Sequence, residues 1–286
     1  MGRRVIAVVA SGIALVAGGA WAQAGQVVVG PTVYASHDLP ADAITGFTVT
    51  CPPGYFAVSA GVSSPGPGST LLSVRPLGLR GFTFRFGNPA TNDPTRVTVA
   101  VACRRIRGGP LLKLKPVKTR VVVRPGQMKA GSLDCPSQTT PAGAALDLDP
   151  GRAKSVDSFA GAALSVRTST SSLRAFQFRV ANAGERAHGV VVQGSCATVL
   201  LAPADARARL STKISTYTDP VAPGRHHFRH RCPAGWTALG AGFALTTGSV
   251  RIDGAAAVGP NGSWWVRNTS PAPLAAQLQL TCARVG

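Results

Sequence analysis

The chain has 286 residues, 30 Lys+Arg against 11 Asp+Glu for a formal net charge of +19, 33 glycines, 22 prolines and six cysteines. A single glutamate, Glu185, and scattered aspartates leave a glycosidase-like pair of acid and base carboxylates without obvious members. Glycine and proline interrupt the chain too often for long helices, and the apolar runs are rich in β-branched residues, so the expected elements are strands.

Met1-Gly2-Arg3-Arg4, an apolar run from Val5 to about Gly19 and small residues at Ala20-Trp21-Ala22 follow the order of a secretory signal peptide, with cleavage expected after Ala22. The run is shorter than the ~20 apolar residues of a spanning helix and is weakened by Gly12, Gly18 and Gly19. Val5-Ile6-Ala7 does not match the fuller twin-arginine motif, which favours the general secretory route. The expected location is therefore extracellular or periplasmic, where six cysteines read first as disulfides. No two of them lie close enough to form the ligand pairs of a structural zinc site.

The cysteines mark an internal repeat. Cys51-Pro52-Pro53-Gly54 is followed by Ala57 and Ala60-Gly61-Val62, and Cys232-Pro233-Ala234-Gly235 by Ala238 and Ala241-Gly242-Phe243, at identical offsets. A middle copy keeps Cys135-Pro136 but has Gln138 at the glycine position and Ala144-Ala145-Leu146 where the others have Ala-Gly-apolar. Further on come Phe82-x-Phe84-x-Phe86-Gly87-Asn88, Phe176-x-Phe178-x-Val180-Ala181-Asn182 and Trp264-x-Val266-x-Asn268, each leading to a second cysteine. Of the 15 pairings that six cysteines permit, the repeat selects Cys51–Cys103, Cys135–Cys196 and Cys232–Cys282. The middle copy is longer by roughly ten residues, placed between Asp147 and Ala160.

Each repeated position has a structural meaning. Proline presets φ and glycine supplies φ > 0 in the turn after the first cysteine. Aromatics at every second position share one face of a strand, with Thr83 and Arg85 on the other, and the asparagines stand where that strand stops, as turn formers. Val97-x-Val99-x-Val101-x-Cys103 and Leu278-x-Leu280-x-Cys282 carry the closing cysteine on a buried face. A further strand precedes each copy, at Val27 to Val29, Val121 to Val123 and Ile214 to Tyr217. The reading is an all-β chain of three tandem β-sandwich-like modules, 23–108, 109–202 and 203–286, each closed by one disulfide. The period exceeds the roughly 40-residue unit of a β-trefoil. A cross-link closing a ~50-residue loop adds about 4 kcal/mol in the chain-entropy model, which suits modules too small to bury much surface.

This combination of Cys-Pro-x-Gly, an Ala/Gly-rich strand, an aromatic strand ending at Asn and a closing cysteine resembles repeats in secreted proteins of GC-rich bacteria. The resemblance covers nearly the whole chain after residue 22 and implies compartment and architecture, with no activity, cofactor or site residue attached. Gln138 departs from it.

Four constellations are candidates for chemistry. Arg225-His226-His227-Phe228-Arg229-His230-Arg231 clusters histidines, but on a strand His226 and His230 stand about 13 Å apart and three arginines repel a cation. A solvated basic strand is the simpler reading, with a pH-dependent anion contact as the other. Ala57-x-Ser59-x-Gly61 approaches a nucleophile elbow but lacks the following helix. Asp147-x-Asp149 supplies two oxygen ligands on a strand, too few for calcium. Finally, from Pro94 to Leu133 there is no acid, while Arg96, Arg104, Arg105, Arg107, Lys113, Lys115, Lys118, Arg120, Arg124 and Lys129 fall there. That stretch could hold an anionic polysaccharide or envelope surface by phosphate or carboxylate contacts. It lacks the interleaved aromatics that stack nucleobases, which disfavours nucleic acid. Biased codons alone could also produce it, since arginine greatly outnumbers lysine. The expectation is a secreted, non-catalytic binding or structural protein without metal or cofactor. The alternatives are a hydrolase whose site assembles only in three dimensions, or an adhesin or envelope subunit that pairs through sheet edges.

Overall fold

The computed structural model describes residues 28–88, 93–106, 111–148, 162–168, 175–182, 187–200, 210–244 and 250–285. The expected signal peptide, the middle-module insertion beyond Asp147 and Leu148, which belong to β10, and Arg107, Asp149 and Glu185 lie outside them. No helix occurs among the described residues.

The first module comprises a two-residue β1 (Val28–Val29), then β2 (Thr32–Leu39), β3 (Ala43–Thr50), β4 (Phe56–Ser64), β5 (Thr70–Leu77), β6 (Gly81–Asn88) and β7 (Thr95–Ile106). The second runs through β8 (Leu111–Val123), β9 (Met128–Asp134), β10 (Thr140–Leu148), β11 (Ala162–Thr168), β12 (Ala175–Asn182) and β13 (His188–Leu200). The third has β14 (Leu210–Val221), β15 (Gly224–Arg231), β16 (Thr237–Ala244), β17 (Val250–Val258), β18 (Asn261–Asn268) and β19 (Leu274–Val285). Pairing repeats in all three. The first, sixth and third strands form one antiparallel sheet (β2-β7-β4, β8-β13-β10, β14-β19-β16), and the second, fifth and fourth form the other (β3-β6-β5, β9-β12-β11, β15-β18-β17). Each module is thus a sandwich of six paired strands over the described residues, with the two-residue β1 of the first module added ahead of β2 along β7. The disulfides are Cys51–Cys103, Cys135–Cys196 and Cys232–Cys282, one per module, as the repeat selects.

The aromatic strand is the core of each sandwich. Phe82, Phe84, Phe86, Phe176, Phe178, Trp264 and Val266 are buried, as period-two spacing requires. The third module has Gly262 where the first has Phe82, and a Cβ there would overlap the Trp264 ring, so the larger indole fills the volume of the missing phenyl.

The strand expected at Val27 to Val29 is found, over its described residues, as β1 (Val28–Val29), which pairs with β7. The longer β2, which continues along β7, was not expected. β2 is polar and edge-exposed, and Thr32-Val33-Tyr34-Ala35-Ser36-His37 shows little apolar alternation. The asparagines stand at the strand ends, as expected, and Asn268 Oδ1 accepts from Ser270 N–H at 2.8 Å in the turn that follows, but all three are also buried. Asn88, Asn182 and Asn268 donate Nδ2 to the carbonyl ending the first strand of their own module, Leu39 at 3.2 Å, Val123 at 2.9 Å and Val221 at 2.9 Å. The amide joins the two sheets where the chain crosses between them, giving a donor to the carbonyl at the strand end. Gln138 takes φ 63°, so the middle copy keeps the left-handed turn after losing the glycine.

The modules close into a pseudo-three-fold ring. The fourth strand of each lies against the third strand of the next, β5 on β10, β11 on β16 and β17 on β4. At the first seam a bridge between Asp147 and Ser73 makes one six-stranded sheet. The third strands β4, β10 and β16 also touch one another. Each carries a β-bulge at the same offset from its first cysteine, leaving Val58, Ala142 and Leu239 outside the ladder register. A bulge turns its extra side chain away from the regular face, and these three are buried in a single apolar cluster at the centre.

Candidate functional site

The acid-free stretch divides in the structure. Arg96 pairs at the surface with Asp38, 2.7 Å from its Oδ1. Arg104 is fully buried, which removes it from any anion-binding surface. It makes six hydrogen bonds to five carbonyls: Ala238 twice, and Gly30, Pro31, Cys103 and Gly259 once each. Burial without a carboxylate lowers its pKa to about 10. Arg105 is exposed, with its guanidinium carbon 4.8 Å from the Tyr55 ring centroid.

The remaining cations form an exposed row. Lys113, Lys115, Lys118 and Arg120 lie along β8, which is the free edge of the six-stranded sheet. Their exposure changes face near Pro116: Leu114 is buried between the first two, whereas Val121 and Val123 pack inward beyond it. Arg124 opens the exposed turn to β9, closed by Gln127 N–H donating to the Arg124 carbonyl at 3.1 Å with Gly126 at φ 66°, and Lys129 follows on β9. None of these six is in an ion pair among the described residues.

The histidine strand β15 separates its side chains. His230 bonds Asp219 at 2.6 Å and stacks on Tyr217 with centroids 3.9 Å apart. His226 contacts the Ala222 carbonyl at 3.0 Å. On the outer face, His227 stacks on Trp265 at 4.4 Å and its Nε2 lies 2.8 Å from Ser263 Oγ. Partial burial, then the charge of Arg229, lower the His227 pKa. Arg225 and Arg267 both hold Asp253 Oδ2, at 3.2 and 2.7 Å. The same group reaches the first module, with Trp265 Nε1 donating to the Ser63 carbonyl and Arg225 to that of Pro65. The described residues contain no group of three or more His, Cys, Asp or Glu poised around a metal. Ser59 is buried within β4 rather than raised on a turn.

One recurring arrangement escaped the sequence reading. Arg284 lies over Trp236 at 4.7 Å, at the positions of the third module that match Arg105 and Tyr55 in the first. The signal was present in the first and third modules as an aromatic just after the Cys-Pro turn and an arginine two residues after the closing cysteine. The middle module has Thr139 and Thr198 there.

No protein-family model matches the chain, and no curated protein matches it.

Proposed function

We propose that the chain is a non-catalytic protein of the cell exterior that holds anionic polymers or surfaces through the cations of β8. The observation that carries this reading is the row Lys113, Lys115, Lys118 and Arg120, exposed on a free edge strand and without carboxylate partners among the described residues. A rise of about 3.3 Å per residue sets members of each pair about 7 Å apart. Such charges interact weakly with small ions but add along a polyanion, with strong dependence on ionic strength. Three disulfides suit an oxidising compartment. Lysines and Pro116 on this edge also discourage pairing with another chain, which weighs against the edge-assembling adhesin.

Retention on immobilised polygalacturonate tests the reading. The wild type is expected to bind at low ionic strength and elute with salt, and Lys113→Ser/Lys115→Ser/Lys118→Ser to elute much earlier. A control of equal charge, Lys213→Ser/Arg229→Ser/Arg231→Ser, should stay near wild type. Equal loss in both triples would reduce the effect to net charge and defeat the proposal.

The contact between His227 and Ser263 favours a second reading, a hydrolase with a histidine–serine pair. Against it, Ser263 is buried and Asp253, the carboxylate on the adjoining strand, is held by two arginines. Turnover of p-nitrophenyl acetate abolished by Ser263→Ala would establish the hydrolase.

A further inference from the structure

We infer that the β5–β6 hairpin is the element by which the protein enters the boundary of an anionic lipid surface. This rests on the reading of the chain as a binder of anionic surfaces and names the surface as lipid. Leu77 and Leu79 are 50% and 42% exposed on either side of Gly78, whose φ of 55° forms the tip. Apolar side chains held out at a turn contribute little to folding, and two of them together with a cation match the makeup of interfacial segments.

The tip is held in place. Ala57 N–H donates to the Leu79 carbonyl at 2.9 Å and Cys51 N–H to that of Arg80 at 2.7 Å, tying it to the loop Cys51-Pro52-Pro53-Gly54-Tyr55. That loop is anchored by the Cys51–Cys103 disulfide, and its Pro52 and Pro53 are exposed. Arg80 on the tip and Arg105 beside Tyr55 are exposed cations at this end. The acids of the module, Asp38, Asp42 and Asp93, lie at the opposite end, where Asn88 closes β6. The eight residues of β6 separate the two ends by about 23 Å. The module is therefore polarised, with apolar side chains and positive charge at one end and, beside the Arg96–Asp38 pair, Asp42 and Asp93 at the other.

The pseudo-three-fold ring supplies an internal comparison. The matching hairpin of the third module, Val258-Gly259-Pro260-Asn261, is only partly exposed, has no cation, and gives the Gly259 carbonyl to Arg104. It closes a seam, whereas Leu77-Gly78-Leu79-Arg80 faces outward. A soluble polyanion would satisfy the arginines but offers no apolar phase to the leucines, and a lipid surface offers both.

Co-sedimentation of the full chain with vesicles of phosphatidylglycerol and phosphatidylcholine, against phosphatidylcholine alone, tests this. Binding to the anionic vesicles is expected. Leu77→Ser/Leu79→Ser should weaken it at least about tenfold, with retention on polygalacturonate unchanged, and Arg80→Ser should weaken it about fivefold. In Leu77→Trp, the emission that remains after subtraction of the wild type, which carries Trp236, Trp264 and Trp265, should move to shorter wavelength when anionic vesicles are added, a readout independent of any folding defect in the double variant. Wild-type vesicle binding by the double variant, or an unmoved emission, overturns the inference. Retention on polygalacturonate without vesicle binding overturns it and leaves the polyanion reading standing. Absence of both overturns the two together.

Discussion

Arg104 donates two hydrogen bonds to the carbonyl of Ala238, at 3.2 and 3.1 Å, across 134 residues of chain. The position after the closing cysteine is Ala197 in the second module and Ala283 in the third, so the arginine occurs at one seam of three. That seam joins the first module to the last and has no covalent linker. Thr32 and Thr237 also cross it, bonding Ala257 and Val28 carbonyls at 3.3 and 2.7 Å. Polar bonds of good geometry thus stand where the chain does not run.

Arg104→Met keeps most of the volume and removes the donor of five carbonyls. The carbonyls left without a donor set an expected loss of about 3 kcal/mol, with all three disulfides intact. Thermal unfolding measures the loss, and hydrogen exchange should rise at residues 28–32 and 237–238 before the sandwich cores open. Unchanged exchange there would mean that the ring is closed by packing alone.

The same seam is tight at Gly61, where a Cβ would overlap the Ala255 carbonyl of the neighbouring strand. Gly61→Ala must push β4 from β17, and a cost of about 2 kcal/mol or more is expected. Gly46, with only ordinary contacts around its missing Cβ, is the control: Gly46→Ala should fall within about 1 kcal/mol of wild type. Chemical denaturation of the two variants compares them directly.

Asn268→Ala removes the amide that bonds the Val221 and Ala272 carbonyls at 2.9 and 2.8 Å. The buried Val221 carbonyl and the partly buried Ala272 carbonyl then lack this donor, for an expected loss of about 2 kcal/mol. Equal stability in urea would assign the asparagine to the turn rather than to the join between sheets.

Gln138→Gly should stabilise the middle module by about 0.5–1 kcal/mol, because a side chain at φ 63° is strained while glycine is at ease. Greater flexibility of the unfolded glycine takes back part of the gain. A raised Tm with unchanged disulfide map is the expected result.

The lowered pKa of His227 means that the unfolded chain binds this proton more readily. Its contribution to stability is complete above the ordinary histidine value, falls as pH drops through the interval down to the lowered one, and is constant below it. His227→Gln should therefore lose less stability than wild type between neutral and mildly acidic pH. Parallel urea midpoints across that range would remove His227 as the cause.

Much of the fold is legible in the residues. The disulfide pairing follows from repeat offsets, the aromatic stripe from period-two spacing, and the turns from proline and glycine, because each is a relation among neighbours or between copies of one pattern. β2 was missed since an edge strand facing water needs no apolar alternation. The exposed β8 cations were also within reach of sequence, but their separation from Arg104 was not. Arg104 and Arg105 are adjacent and chemically identical, and strand alternation alone assigns them to opposite faces without saying which face another module covers.

The amino-acid sequence by itself determined that this is an all-β chain of three disulfide-closed copies of one pattern. Local turn chemistry, side-chain period and repeat spacing are short-range constraints, and they specify the module. Only the tertiary structure decided that the copies close into a ring, that Val58, Ala142 and Leu239 meet at its centre, and that Arg104 is sealed inside while Leu77 and Leu79 face out. Those outcomes depend on which faces of separate modules meet, and the packing of surfaces far apart in the chain leaves no periodic mark in any one of them.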